Sequence, residues 1–237
     1  MSSFVLIHGA WHGAWCWKKI IPLLENKGHK VKAPDLPGHG SHTMPITEIS
    51  LQLYVDHVCQ VIDSQTEPVV LVGHSLGGCT ISQVAENRPK KIKTLVYLTA
   101  YLLMNDEPAL NYVMSDTEAI VVPNLTMPED LSYSSVNEEI IKEAFYGDCS
   151  DEDVAFAKPL LVPEASEPFR APVKTTEEKF GRIPRVYITC LRDKAITPGI
   201  QEKMYTNLPC KKVIRMNTDH SPFFSATEEL AEHLLSI

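Results

Sequence analysis

The chain has 237 residues, 44% of them hydrophobic, with 30 acidic against 22 basic side chains and a net charge of −8. This length suits one α/β domain, or a core with a small subdomain, and the hydrophobic share is enough for a large core. The negative balance argues against a nucleic-acid or anionic-membrane surface, and no apolar run approaches the roughly 18 residues of a membrane span.

Residues 4–7 read as a short buried strand rather than a signal peptide, because no basic region precedes them. The strand ends at His8-Gly9-Ala10-Trp11-His12-Gly13. A helix follows, with Trp17, Ile20, Ile21 and Leu24 as its apolar stripe and Lys27-Gly28 closing it. Residues 29–33 form a second strand, and 34–40 a loop by their proline and glycine content. Residues 50–64 carry Leu51, Tyr54, Val55, Val58 and Ile62 on one helical face. A third strand, 68–72, runs into Gly73-His74-Ser75-Leu76-Gly77, and a helix leaves it. Residues 93–100 are a fourth strand. Alternation then stops: 101–181 is acidic, dotted with proline and mixed in pattern. It resumes with a strand over 185–190, a helix over 198–207, a strand over 211–216 and a last helix, for which Ser225-Ala226-Thr227-Glu228 spells a capping box.

Six short strands, each followed by a helix, predict a mainly parallel sheet with helices on both faces. The core would comprise 1–100 and 182–237, with 101–181 inserted as a lid. Ligands of such sheets bind beyond the carboxyl ends of the strands. His8, Ser75, Tyr101, Asp193 and His220 all follow strands, so the pattern gathers them on one edge.

Gly73-His74-Ser75-Leu76-Gly77 fits G-x-S-x-G, the strand-to-helix turn that presents a nucleophilic serine in α/β-hydrolases. A serine hydroxyl needs a base, and the base needs an orienting acid. Asp193, after the fifth strand, and His220, after the sixth, supply them in the order Ser, acid, His. Asp219 is the rival carboxylate, but it adjoins His220, so its side chain should diverge from the ring. The backbone N–H groups of Leu76 and Ala10 are the expected oxyanion donors. His8, His12 and His74 are read as loop and turn residues rather than metal ligands, since no carboxylate or cysteine stands at ligand spacing near them. The six cysteines contain no C-x-x-C pair, and scattered free thiols fit a reducing cytoplasm.

Phe4 through Trp17, then Pro22-Leu23-Leu24-Glu25, Gly28-His29-Lys30-Val31, the serine turn, and Asp219-His220 with Pro222 and Phe224 resemble the plant methylesterase and hydroxynitrile lyase family of α/β-hydrolases. The resemblance spans nearly all the core and is weaker in the lid. Asp35-Leu36-Pro37-Gly38-His39-Gly40 stands where plant members have Asp-Leu-Ala-Ala-Ser-Gly, which points to a bacterial-type carboxylesterase member. The resemblance implies an α/β-hydrolase fold and cofactor-free cleavage of small esters or cyanohydrins. It also implies a homodimer and the triad Ser75, Asp193, His220, with Ala10 and Leu76 as the oxyanion hole.

Within that family the lyases carry a threonine where this chain has Gly9 and a lysine where it has Ser221, so the sequence favours a serine carboxylesterase acting on a small-molecule ester. A hydroxynitrile lyase and a ligand-binding receptor on the same scaffold are the alternatives. Residues 101–184 hold 17 acidic and 6 basic side chains, a balance of −11, which predicts a lid that disfavours anionic esters. Tyr112, Tyr133, Phe145, Tyr146 and Phe156 are candidates for the pocket wall.

Overall fold

The computed structural model describes residues 2–237. In chain order its elements are β1 (Ser3–Ile7), α1 (Ile20–Glu25), β2 (Lys30–Lys32), α2 (Leu51–Asp63), β3 (Val69–His74), α3 (Gly77–Asn87) and β4 (Ile92–Leu98). The inserted stretch carries α4 (Ala109–Ser115), β5 (Leu125–Thr126), β6 (Tyr133–Val136), α5 (Ile141–Phe145), α6 (Asp151–Ala157), β7 (Glu164–Ala165) and α7 (Glu167–Arg170). The chain then returns through β8 (Arg185–Cys190), α8 (Pro198–Asn207), β9 (Lys212–Met216), α9 (Pro222–Ser225) and α10 (Thr227–Leu235).

Six strands form one parallel sheet in the order β2-β1-β3-β4-β8-β9. Every residue of β3 is buried, as a near-continuous apolar run requires when helices cover both faces. The chain starts inside the sheet, steps to the β2 edge, then returns past β1 to β3, so its direction of travel reverses there. Right-handed crossovers therefore place α1 on one face and α2 and α3 on the other. The packing follows: α1 lies against α10, and α2 against α3. The reversal opens a crevice beyond the carboxyl ends of β1 and β3, where the 8–13 loop meets the 73–77 turn. The inserted stretch forms its own small antiparallel sheet, β5-β6-β7. No helix among the described residues is long and apolar enough to cross a membrane.

Three local expectations are corrected. The first helix is split into a 3-10 turn, Ala14–Trp17, and α1. Pro22 has no N–H for the carbonyl of residue 18 and would clash with it, so a continuous helix cannot run through. The fourth strand stops at Leu98 because Thr99 turns to φ 37°. The capping box does not form: Ser225 donates its hydroxyl to Asp219 Oδ1 at 2.7 Å, and α10 starts at Thr227 with no side-chain cap.

Candidate active site

Ser75 sits between β3 and α3 at φ 53°, in the left-handed region that non-glycine residues rarely occupy. The turn is held from outside. Ser75 N–H donates to Leu98 O at 3.3 Å, and Tyr101 N–H donates to Ser75 O at 3.1 Å. A Cβ on Gly73 would meet Gly77 O at 2.7 Å, and one on Gly77 would meet His8 O at 2.7 Å. The two glycines of the motif are therefore required by close backbone approach.

Asp193 and His220 are brought together. His220 Nδ1 donates to Asp193 Oδ2 at 2.6 Å, with both side chains buried. Asp193 Oδ1 accepts the N–H groups of Ala195 at 2.7 Å and Ile196 at 2.9 Å, and the Thr99 hydroxyl donates to Oδ2. His220 is also tied to the serine turn: His74 Nε2 donates to His220 O at 2.9 Å, and the two rings lie 4.6 Å apart. Asp219 points elsewhere. It accepts from Ser225 Oγ, Ser221 N at 3.2 Å and Asp148 N at 3.0 Å, which makes it a clamp for its own loop. Burial pushes its carboxyl above the usual range, against the pull of these donors.

The 8–12 loop owes its shape to three buried histidines. Leu36 N–H donates to His8 Nε2, so the proton is on Nδ1, which donates to Gly9 O at 2.9 Å. Gly9 O and Ala10 N–H belong to one trans peptide and point in opposite directions. Fixing the carbonyl therefore aims the N–H. His12 Nδ1 bonds Ala10 O at 2.7 Å, and His39 Nδ1 bonds His12 O at 2.6 Å. Trp11, at φ 60°, is tied to the inserted stretch at three points: its N–H donates to Glu164 Oε2, its carbonyl accepts from Val162 N, and its Nε1 donates to Ser134 O. Among the described residues, neither Ala10 N–H nor Leu76 N–H meets an internal acceptor.

Burial also sets the charge of these rings. It lowers His8 and His74 well below the ordinary histidine value and takes His12 down to about 3. Burial opposes a charge on His39 as well, but the Glu164 carboxylate 3.2 Å away outweighs it, and the net direction is upward. His8, His12 and His74 are thus neutral when folded and free to protonate when unfolded. Below pH ~6.5 the unfolded chain binds more protons, so stability falls as pH falls, by up to about 1.4 kcal/mol per pH unit for each ring. His39 runs the other way, but its contribution is fully present below pH ~6.5 and is lost only as pH rises through its raised value. It therefore leaves the acid loss intact. Over the pH window from ~6.5 downward the three rings therefore withdraw stability together. The expected result is a steep fall in Tm over that window, followed by calorimetry. A flat Tm there would mean that these rings titrate while folded.

Ser75 opens into a cavity of about 310 Å³. Its wall is aliphatic, with Leu110, Val113, Val121, Val122 and Leu125, and aromatic, with Trp11, Tyr101, Phe145 and Phe169. Met114, Met127 and Leu131 form an exposed apolar rim. Of the five aromatic candidates, only Phe145 lines it. Tyr112 turns its hydroxyl to Glu107, Tyr146 to His12, and Phe156 lies beneath Lys18. The lid's negative charge does not face the cavity either. Asp106, Glu138, Glu143, Asp148, Asp151 and Asp153 are in ion pairs with lysine or arginine. The charged residues at the cavity are Asp116, whose carboxylate is taken by Thr197 N and Oγ1, and Arg170. The cavity wall is thus apolar and not overhung by acidic side chains. Among the described residues, no cluster of His, Cys, Asp or Glu could hold a metal ion.

The profile of the Alpha/beta hydrolase family matches residues 4–233. The chain belongs to that family. Methylesterase 9 of Arabidopsis thaliana is 33% identical over 100% of this chain and 98% of its own length. Salicylic acid-binding protein 2 of Nicotiana tabacum is 34% identical over 100% of this chain and 96% of its own. The crystal structure of a pyrethroid hydrolase from Sphingobium faniae JZ-2 superposes with a TM-score of 0.92 at 27% identity, over 99% of this α/β-hydrolase and 96% of that chain.

Proposed function

We propose that the protein is a serine carboxylesterase that hydrolyses small neutral carboxylic esters, of methyl-ester or aryl-ester type, through an acyl-enzyme. The observation that carries this reading is the buried Asp193–His220 pair, tied through His74 to the turn that presents a strained Ser75 to an apolar cavity. Ser75 Oγ attacks the acyl carbonyl while His220 Nε2 takes its proton. The tetrahedral oxyanion meets Ala10 N–H and Leu76 N–H, two donors that need no rearrangement and are worth about 3 kcal/mol each. His220 then protonates the departing alcohol, and water repeats the sequence on the acyl-enzyme. Asp193 holds the imidazole with its proton on Nδ1, which leaves Nε2 as the base. Residues 101–181 act as the lid that closes the cavity from water.

Relatives named as methylesterases support ester hydrolysis. Cyanohydrin cleavage is not favoured. A Cβ at position 9, which the lyases' threonine requires, would lie 2.6 Å from Ser75 Cβ, and position 221 is a fully buried serine rather than a lysine. All six cysteines are free, which fits a cytoplasmic protein. The charge of −8 speaks against a nucleic-acid or membrane partner. A homodimer is the assembly that the family resemblance implies.

Initial rates over a panel of aryl and methyl esters with graded acyl and alcohol groups, with mandelonitrile alongside, test the proposal. Each added methylene should raise kcat/KM about fourfold until the cavity is filled. An anionic ester should be slower than its neutral isostere, and mandelonitrile should give negligible benzaldehyde. Faster cleavage of mandelonitrile than of any ester would overturn the assignment.

A further inference from the structure

Residues 98–101, immediately after β4, touch both halves of the site. Leu98 O accepts Ser75 N–H, Tyr101 N–H donates to Ser75 O, and between them the Thr99 hydroxyl donates to Asp193 Oδ2. That oxygen is the one that also receives His220 Nδ1. Thr99 is fully buried, its N–H donates to Ile188 O at 2.8 Å, and its φ is 37°. A β-branched residue at positive φ is a true outlier that persists only where its surroundings over-determine it. Glycine would satisfy the same backbone without strain but has no hydroxyl to offer.

We propose that Thr99 is a positioning residue of the esterase: a strained strut that fixes the orientation and charge of the Asp193 carboxylate and spaces it from the Ser75 turn. Its effect on catalysis passes through Asp193 and His220, and that part rests on the esterase reading. Asp193 has two oxygens with separate tasks. Oδ1 is pinned by the N–H groups of Ala195 and Ile196 and sets where the carboxylate sits. Oδ2 carries the bond to His220, and the Thr99 hydroxyl, backed by a longer contact from Gln201 Nε2 at 3.5 Å, keeps the carboxylate from rotating to offer His220 a different lone pair. The Thr99 donor also draws off part of the carboxylate's charge. Without it more negative charge faces the imidazole, which then holds its proton more tightly, so that near its midpoint a smaller fraction of His220 is the free base that Ser75 needs.

Other groups face this pair. His74 and His12 lie beside His220, and burial keeps both neutral. Tyr101, Tyr187 and Cys190 lie near Asp193, and burial pushes each of them up, so they stay uncharged. Asp219, next in sequence to His220, is the nearby group whose carboxyl burial raises. Resonance-resolved titration of His220 separates it from Asp219.

Thr99→Val keeps the shape and the β-branch but removes the donor, whereas Thr99→Ser keeps the donor. Two readouts are needed. His220 is titrated by NMR, which requires no turnover, and kcat and KM are measured on the best ester of the panel. In Thr99→Val the His220 midpoint should rise by about half a unit or more. Its kcat should fall about tenfold, as for the loss of a hydrogen bond to a charged group, with KM within about twofold of wild type. Thr99→Ser should restore both. A Val variant with wild-type titration, or a loss that Ser does not recover, would overturn the role of Thr99. A shifted His220 midpoint in a protein that turns over no ester would instead sink the esterase reading and leave the Thr99–Asp193–His220 coupling standing.

Discussion

Ser75→Ala is expected to fold as wild type and to lose ester hydrolysis by several orders of magnitude. The fold should survive because the backbone bonds that hold the turn, Ser75 N–H to Leu98 O and Tyr101 N–H to Ser75 O, do not use the hydroxyl. Alanine keeps the Cβ, so the close packing of Gly9 and Gly77 around the turn is unchanged. The strain at φ 53° is the same for alanine as for serine. Stability should therefore stay within about 1 kcal/mol. The chemistry has no such reserve. Without Oγ, His220 can only activate water, and the acyl-enzyme route disappears. What remains is substrate held in the cavity with its carbonyl against Ala10 and Leu76 N–H, which leaves about 10³–10⁴-fold over the uncatalysed rate. A variant that keeps a tenth of wild-type turnover would remove Ser75 from the mechanism.

The elements of the site differ in how far the sequence discloses them, and the reason is distance along the chain. The Ser75 turn is legible because strand, glycines, serine and helix are contiguous, and each constrains its neighbour. His220 and Asp193 are legible because both sit directly after strands of a parallel sheet, whose carboxyl ends share one edge. Thr99 gives no such signal. Its partner Asp193 is 94 residues away, and the apolar run around it reads as two more residues of strand. Glu164 is 153 residues from the Trp11 N–H it receives, inside a stretch of mixed pattern. The pocket wall shows the same limit. The lid's aromatic residues attract notice as single letters, but most of them pack against the core. The aliphatic residues that line the cavity are scattered over short helices and turns, where no regular period shows which face looks inward. The lid's net charge is equally uninformative, because composition does not say that six of those carboxylates pair with lysine or arginine, or that among the described residues only Asp116 of that set reaches the cavity wall.

The choice between the two aspartates yields a second large effect, and the structure separates them by different readouts. In Asp193→Asn the amide oxygen can still accept from Ala195 and Ile196, so the side chain keeps its place. Its NH₂ then faces His220 Nδ1, where a carboxylate oxygen used to accept. A donor at that point forces Nδ1 to be the acceptor and moves the imidazole proton to Nε2, the atom that must be bare to deprotonate Ser75. Turnover should fall by about 10⁴ with little change in Tm, because the fault is a wrong tautomer rather than a broken fold. Asp219→Asn meets the opposite situation. Asp219 accepts from Ser225, Ser221 and Asp148 and donates to nothing, so an amide must turn one N–H group toward donors in a buried loop. That costs on the order of 1–3 kcal/mol of stability. Part of it is returned, since asparagine removes the charge that burial disfavours at Asp219. His220 keeps its bond to Asp193, so kcat should change far less than in Asp193→Asn. Measured side by side, kcat should collapse in the Asp193 variant, and Tm should fall in the Asp219 variant. If instead Asp219→Asn lost the greater share of turnover while Asp193→Asn kept it, the acid of the site would be Asp219, and the 2.6 Å bond between Asp193 and His220 would be structural only.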